Sequence, residues 1–216
     1  MWCLSCNSLS DSLLCPTCSA ELAASSFTTF YALKCPTCGK PVLDPIYGCD
    51  FCQKALLSYG FYDGILEHLL TEYKHAGKIM ASVVLSGLFE SMLQSFDHPV
   101  LIPIPSSRSG KRSLGFDHMA LVTAILGKRL NLQSIHLFRQ KANSLYTVLS
   151  RSQRQQTSNL EIRKRAAKQM QKLLLQNRTF LILDDIYTTG NTCKRAQELL
   201  YTEFSVQASI CVIARA

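Results

Sequence analysis

The chain has 216 residues, 47% of them hydrophobic, so it can form one α/β domain of ordinary size with a small appendage, and this composition argues against wholesale disorder. No apolar run approaches the roughly 20 residues of a transmembrane helix, and residues 1–6 have neither the basic nor the apolar region of a signal peptide. We therefore expect a cytoplasmic protein without membrane insertion, and its formal net charge of +8 favours acidic or phosphate-bearing partners.

Eight of the ten cysteines lie in the first 52 residues and form four Cys-x-x-Cys pairs. Two thiolates separated by two residues can bind one metal ion from a tight turn, and two such turns complete a tetrahedral shell. The pairs are Cys3/Cys6, Cys15/Cys18, Cys35/Cys38 and Cys49/Cys52. A reducing compartment favours metal sites over disulfides. We predict a zinc-ribbon domain over residues 1–58 with two structural zinc ions, bound by sequential quartets, although an interleaved pairing also fits the spacings.

Residues 59–216 are predicted to form a second domain in which helical and strand patterns alternate. Helical patterns cover 64–73, 78–96, 117–130, 159–175 and 193–201, strand patterns cover 100–102, 134–138, 179–183 and 206–214, and a polar, basic loop covers 139–157. Such alternation predicts an α/β fold with a mostly parallel sheet flanked by helices. Cys193 and Cys211 fall within these patterns, and we expect both to be small core residues.

Basic residues are concentrated in the middle of this second domain. Fifteen of the 23 Lys and Arg residues lie within 108–178, where Asp117 and Glu161 are the only acids. This distribution predicts a polyanionic partner, either a small phosphate ester or a nucleic acid. A solvated basic helix face is the alternative interpretation for 163–178.

The segment 180–192 combines a buried strand, two carboxylates and a run of small residues that opens a helix. Small residues let successive backbone N–H groups approach an anion, and a helix N-terminus favours negative charge. Carboxylates at the carboxyl end of a strand can accept hydrogen bonds from ribose hydroxyls, and open α/β sheets bind ligands at that edge. The pattern predicts a phosphate cradle beside a ribose-binding acid pair; the alternative is a tight strand-to-helix turn.

This segment resembles the phosphoribosyl-pyrophosphate signature of type I phosphoribosyltransferases. The resemblance implies that Asp184 and Asp185 hold the ribose. It assigns the 5′-phosphate to Thr188, Thr189, Gly190, Asn191 and Thr192. It also implies a type I phosphoribosyltransferase-like fold and magnesium bound together with phosphoribosyl pyrophosphate.

Together with the cysteine array, the segments 73–78, 103–108, 111–118 and 139–157 make the chain resemble the ComF family over nearly its whole length. Ser106, Ser107 and Arg108 follow a predicted strand, where a turn that binds the diphosphate is expected. Lys74 is a candidate second cation. Arg139, Lys141 and Arg154 are predicted to close over the ligand on a loop.

The chain departs from the family pattern at Asp117 and His118, which stand where the family usually has Asn and Gln. We expect this change to affect loop contacts and to leave the central cradle intact.

The ComF resemblance implies a cytosolic factor in natural transformation that binds phosphoribosyl pyrophosphate and contacts single-stranded DNA and other DNA-uptake proteins. The alternative is an active phosphoribosyltransferase with an unidentified small acceptor, in which the ribbon is a structural cap or docking surface. No nucleobase-binding motif is recognisable, so whether the chain is an enzyme stays open. A zinc-ribbon adaptor with a degenerate transferase domain is disfavoured because the cradle sequence is intact.

Overall fold

The computed structural model describes residues 1–27, 33–34, 41–42, 56–94, 96–141, 160–176 and 178–216. The helices of these residues are α1 Pro16–Ala24, α2 Gly64–His75, α3 Ala81–Leu93, α4 Arg108–Leu114, α5 His118–Leu130, α6 Lys164–Leu174 and α7 Asn191–Phe204. The strands are β1 Leu33–Lys34, β2 Pro41–Val42, β3 Leu56–Phe61, β4 Val100–Pro103, β5 Phe138–Gln140, β6 Leu160–Ile162, β7 Phe180–Tyr187 and β8 Ser209–Arg215.

The main sheet has four strands in the order β3-β8-β7-β4, and all its pairs are parallel. β7 and β8 are central, and their sequences are nearly continuous apolar runs because both faces of the sheet are covered. One face packs against α2, α3 and α5, with Leu69, Phe89 and Val122 in its core. The other face packs against α6 and α7, with Met170 and Leu200 in its core. The predicted α/β fold with a parallel sheet between helices is confirmed.

β3 was not predicted from the sequence. It pairs in parallel with β8, the last strand of the chain, and Leu57 on it is buried. The predicted boundary between residues 58 and 59 falls inside this strand, which belongs to the main sheet.

The strand predicted over 134–138 does not form over that range; the observed strand, β5, has three residues and covers Phe138–Gln140. Ser134 forms only an isolated bridge with Leu101 at the edge of the main sheet. The N–H of Leu137 donates to the carbonyl of Ile135 at 2.9 Å, and this tight turn lifts the chain off the sheet edge. The strand β5 begins at Phe138 and pairs antiparallel with β6.

The helix predicted over 159–175 begins later than its sequence pattern suggested. Leu160, Glu161 and Ile162 form β6, because their backbone pairs with β5, and α6 begins at Lys164. Residues 139 and 140 of the predicted loop are part of β5, and residues 142–159 lie outside the described residues.

The N-terminal segment is docked against α2 and the start of α3. The carbonyl of Ser5 lies 2.9 Å from the His68 Nε2 atom, and Lys78 donates to the carbonyl of Leu4 at 3.2 Å. Cys3, Leu14 and Leu22 belong to the same buried cluster as Leu66 and Leu69. The cysteine segment and α2 therefore share one core.

None of the helices in the described residues combines the length and the apolar character that crossing a membrane requires.

Candidate functional site

The candidate site lies at the carboxyl ends of β4 and β7, where the chain turns into α4 and α7. β7 continues to Tyr187, beyond the predicted end at residue 183, so both acids of the pair lie inside the strand. β8 causes this extension, since it pairs with Asp184 and Ile186 through Val212 and Ala214. Because side chains alternate along a strand, Asp184 and Asp185 face different helices.

Asp185 is a buried carboxylate that contacts a lysine and a histidine. Its side chain Oδ2 is 2.8 Å from the Lys74 Nζ atom on α2 and also contacts His118 Nε2 on α5, while Oδ1 accepts the N–H of Ile186 at 2.7 Å. Burial alone would raise the pKa of this carboxyl, but the hydrogen bond from His118 and the charge of Lys74 lower the pKa of Asp185 below its usual range. The anionic form is therefore fixed in place.

Asp184 has the opposite environment. Burial, reinforced by the negative charge of Asp185, raises the pKa of Asp184 above its usual range. Its Oδ1 accepts the backbone N–H of Asp185 at 2.9 Å, and the Cys193 Sγ atom on α7 lies 3.7 Å from its Oδ2. The two carboxyls of the pair are therefore chemically unequal, since the uncharged form is favoured at Asp184 and the anion at Asp185.

The loop after β7 leads through a glycine turn into a long helix. Thr188 and Thr189 are exposed, Gly190 adopts a φ of +72°, and the 14-residue helix α7 starts at Asn191. A Cβ atom on Gly190 would lie 2.2 Å from ring atoms of Tyr187, so the glycine also makes room for that ring. The exposed threonines precede the positive end of a long helix, which is suited to an anion.

A second loop, between β4 and α4, faces Asp185 through His118. Ser106 is buried, and its Oγ lies 2.8 Å from Asp117 Oδ1 and 2.6 Å from His118 Nδ1. The N-cap residue of α5 is Asp117, which accepts the N–H of Ala120 and lies 2.5 Å from Lys111 Nζ. A continuous polar network results, and it joins Lys74, Asp185, His118, Ser106, Asp117 and Lys111.

The structure brings only some of the other sequence-predicted residues to this network. Ser107 lies beside Ser106, and its Oγ accepts the N–H of Gly110 as the N-cap of α4. Arg108 is the first residue of α4, but its side chain is outside the described part of the structure, as is Arg154. Arg139 lies on β5 and pairs with Glu161 of β6 at 2.7 Å, and the exposed Lys141 follows β5.

Lys111, Asp117 and His118 are site residues that the sequence analysis missed. Our expectation that Asp117 and His118 affect only loop contacts is wrong, because His118 contacts the acid pair directly. The available signal was the departure from the family pattern itself, at the start of a helix that follows a serine-containing loop.

The first two cysteine pairs lie together at the N-terminus. The sulfur atoms of Cys3, Cys6, Cys15 and Cys18 are all within 4.8 Å of one another. Sulfurs around a tetrahedral zinc ion are about 3.8 Å apart, given a Zn–S distance near 2.3 Å, so this set can bind one metal ion. The arrangement is the one that sequential quartets require.

Local structure favours the thiolate at Cys3 and Cys6, where hydrogen bonds lower the pKa, whereas burial raises the pKa of Cys18 to about 12. Cys15 is the N-cap residue of α1 and Cys18 lies in its first turn. Burial opposes ionisation of Cys3, but hydrogen bonds from the backbone N–H groups of Cys15, Cys6 and Ser5 lower the pKa of Cys3 to about 6. The other four predicted ligands, Cys35, Cys38, Cys49 and Cys52, lie outside the described residues, although β1 and β2 pair on either side of 35–40.

Comparisons with known proteins give little beyond a distant likeness. No protein-family model matches the chain, and no curated protein matches it. Among solved structures, adenine phosphoribosyltransferase from Thermoanaerobacter pseudethanolicus is similar at a TM-score of 0.38 and 14% sequence identity, over 66% of this chain and 84% of that one. So distant a likeness does not indicate what this chain binds, which has to be inferred from the chemistry of its own residues.

Proposed function

We propose that this chain binds phosphoribosyl pyrophosphate, together with magnesium, at the carboxyl edge of β4 and β7. The observation that carries the proposal is the position of the acid pair Asp184–Asp185 directly before the Gly190 turn and the N-terminus of α7. A sugar phosphate needs these two features side by side, one for its hydroxyls and one for its phosphate.

The 5′-phosphate would lie on the loop 188–192. The exposed Thr188 and Thr189 offer hydroxyl and backbone donors, and Gly190 lets the backbone approach closely. The N-terminal N–H groups of α7 add further donors and the positive end of the helix dipole.

The ribose hydroxyls would contact the unequal acid pair. Among the described contacts, Asp185 Oδ1 accepts one hydrogen bond, so this oxygen can accept a second from a hydroxyl. Asp184 in its protonated form can both donate and accept. A vicinal diol, which offers a donor and an acceptor on each carbon, fits such a pair.

The diphosphate would lie toward Lys74 and the loop 105–108, since Lys74 Nζ lies 2.8 Å from Asp185 Oδ2. Magnesium, bound with the diphosphate, would neutralise part of its charge. If the ligand also reacts, a nucleophile would replace the diphosphate on the ribose, and inorganic pyrophosphate would leave.

Calorimetric titration with magnesium and phosphoribosyl pyrophosphate tests this proposal. We expect Asp185→Asn to lower the affinity about tenfold to a hundredfold, because a charge-assisted contact to the ribose is lost. Affinity for inorganic pyrophosphate, which has no ribose, should change much less. Asp97→Asn removes a fully exposed carboxylate and is the matched control.

No binding heat in folded, zinc-loaded wild-type protein would overturn the proposal. Asp184→Asn, which resembles the uncharged form favoured at that position, provides a second variant if Asp185→Asn does not fold. Release of pyrophosphate with one compound from a panel of nucleobases and amines would identify an active phosphoribosyltransferase. Binding without release from any of them would favour a ligand-binding factor.

We further propose that the basic face of α6 contacts single-stranded DNA in the cytoplasm, as the ComF resemblance implies for a factor in natural transformation. Met170 and Leu173 bury one face of α6. Its exposed cations are Lys164, Arg165, Lys168 and Lys172, and the helix contains no acid. Such a stripe suits a phosphate backbone, and other DNA-uptake proteins would be partners of the same complex.

Salt dependence of binding to a fluorescent oligonucleotide tests the DNA proposal. For Lys168→Gln/Lys172→Gln, we expect weaker binding and a salt slope smaller by about 1.4, given about 0.7 for each phosphate contact on a single strand. Arg112→Gln/Lys128→Gln removes two exposed cations from other helices and is the control. Equal losses in both variants, or no binding at low salt, would contradict the assignment to α6.

We also propose that the first cysteine quartet holds a structural zinc ion and that Cys35, Cys38, Cys49 and Cys52 hold a second, within the segment that precedes β3. The support is the clustered thiols and the lowered pKa of Cys3. Zinc would supply the folding free energy that so short a segment lacks.

A further inference from the structure

We infer that His118 is a positioning residue of the candidate site: its ring, with a hydrogen on each nitrogen, fixes the Asp185 carboxylate and the Ser106 hydroxyl and adds a positive charge beside them. The location of the ring stands on geometry alone, whereas its effect on the ligand rests on the proposed binding of phosphoribosyl pyrophosphate.

The hydrogen on Nε2 follows from the surroundings of Asp185. Oδ2 of that residue contacts both Lys74 Nζ and His118 Nε2. A carboxylate can only accept hydrogen bonds, so each of these two nitrogens has to donate. The low pKa of Asp185 agrees with the anionic form.

The hydrogen on Nδ1 follows from the contacts of Ser106. The Oγ atom of Ser106 has three neighbours, Asp117 Oδ1 at 2.8 Å, His118 Nδ1 at 2.6 Å and the backbone N of His118 at 3.2 Å. The backbone N–H donates to Oγ, which leaves one hydroxyl hydrogen for the other two contacts. Only one of them can receive it.

Asp117 decides which contact receives the hydroxyl hydrogen. Burial alone would raise the pKa of Asp117, but hydrogen bonds from Lys111 and Ser106 lower it below its usual range. As a carboxylate, Asp117 accepts the Ser106 hydrogen, and His118 Nδ1 must then donate to Oγ. In the opposite assignment, two oxygens would face each other at 2.8 Å with no hydrogen between them, which is electrostatically unfavourable.

The groups around the ring define the charge that it adds. Lys74 on α2 and Asp185 on β7 face one side, and Asp117 with its partner Lys111 lies on the other. Tyr73 on α2 donates its hydroxyl to the His118 carbonyl at 2.8 Å, with its ring edge-on to the imidazole. With the ring charged, three cations face the two carboxylates Asp185 and Asp117, so the network has a surplus positive charge toward an incoming diphosphate.

Removal of this surplus charge should therefore weaken binding of the anionic ligand. His118→Gln keeps a side-chain donor but has no charge and does not titrate. We expect His118→Gln to bind the magnesium complex of phosphoribosyl pyrophosphate about tenfold more weakly than wild type, with a smaller dependence of the affinity on salt concentration. The exposed His98→Gln should behave like wild type and is the control for loss of a histidine elsewhere.

The deciding measurement uses no ligand. Two-bond ¹H–¹⁵N correlation spectra of the folded full-length chain at pH 7.5, with the His118 signal assigned by its loss in His118→Gln, should show hydrogen on both ring nitrogens. If His118→Gln does not fold, the change of the Nδ1 signal in Ser106→Ala supplies the assignment. A bare nitrogen in either position would overturn the inference.

The two proposals fail in distinguishable ways. Two protonated nitrogens with no ligand binding would support the position of His118 and overturn the proposed function. Equal affinity and equal salt dependence in wild type and His118→Gln would overturn the effect of the ring on the ligand.

Discussion

Gly190 has two separate physical reasons to be glycine. Its φ of +72° lies in the left-handed region, where a Cβ atom costs about 1–2 kcal/mol. In addition, a Cβ atom would lie 2.2 Å from the Tyr187 ring, which is buried and would have to move. The second reason belongs to the candidate site, because Tyr187 ends β7 directly before the cradle.

Comparison of Gly190→Ala with Gly77→Ala separates the cost of the positive φ from the cost of the clash with Tyr187. Gly77 has a similar φ of +65° but nothing within 4 Å of its Cβ position. We expect Gly77→Ala to cost about 1–2 kcal/mol of unfolding free energy and Gly190→Ala about 2–5 kcal/mol, since overpacking adds about 1–3 kcal/mol. Chemical denaturation measures the unfolding free energy of both variants. Equal costs would show that the Tyr187 ring can move aside without a loss of stability. Binding of phosphoribosyl pyrophosphate should weaken in Gly190→Ala alone.

At the scale of elements, the sequence predicts what local patterns determine. The helical periodicity of α2 and α5 and the apolar runs of β7 and β8 identified those elements and their type. β3 escaped prediction because its main partner, β8, lies at the other end of the chain, and parallel pairing leaves no local signal. The end of β7 was misplaced for the same reason, since pairing with β8 keeps both acids within the strand.

The same distinction between local and long-range determinants applies to the residues of the candidate site. The cradle was predictable because one continuous segment contains the strand, the acids, the glycine and the helix start. The polar network was not, because α2, α4, α5, β7 and the loop after β4 contribute one or two side chains each. The lowered pKa of Asp185 also depends on partners that are distant in sequence, namely His118 and Lys74.

At the scale of the whole molecule, α2 joins the cluster of Cys3, Cys6, Cys15 and Cys18 to the candidate site. The first half of α2 carries His68, which contacts the Ser5 carbonyl. Its last turn carries Lys74, which forms an ion pair with Asp185. Lys78, just after α2, pairs with Glu72 on that helix at 2.6 Å and donates to Leu4 in the Cys3–Cys6 turn. The position of Lys74 therefore depends on an anchored turn of cysteines.

Loss of the metal should consequently weaken the ligand site as well as the fold. Cys6 is exposed, so Cys6→Ser removes one ligand without disturbing the core. We expect the variant to lose one equivalent of zinc by elemental analysis and to melt about 5 °C lower or more, which corresponds to roughly 2 kcal/mol for a chain of this length. Its affinity for phosphoribosyl pyrophosphate should fall as α2 loosens.

Lys78→Met distinguishes transmission through α2 to the ligand site from a general loss of stability. It cuts the contacts of Lys78 with Leu4, Asn7 and Glu72 but leaves the four sulfurs in place. If α2 transmits the effect, Lys78→Met should bind the ligand more weakly while it keeps its full zinc content, whereas Lys128→Gln, an exposed lysine on α5, should match wild type. Unchanged ligand affinity in zinc-depleted Cys6→Ser would show that the cysteine cluster stabilises only its own segment.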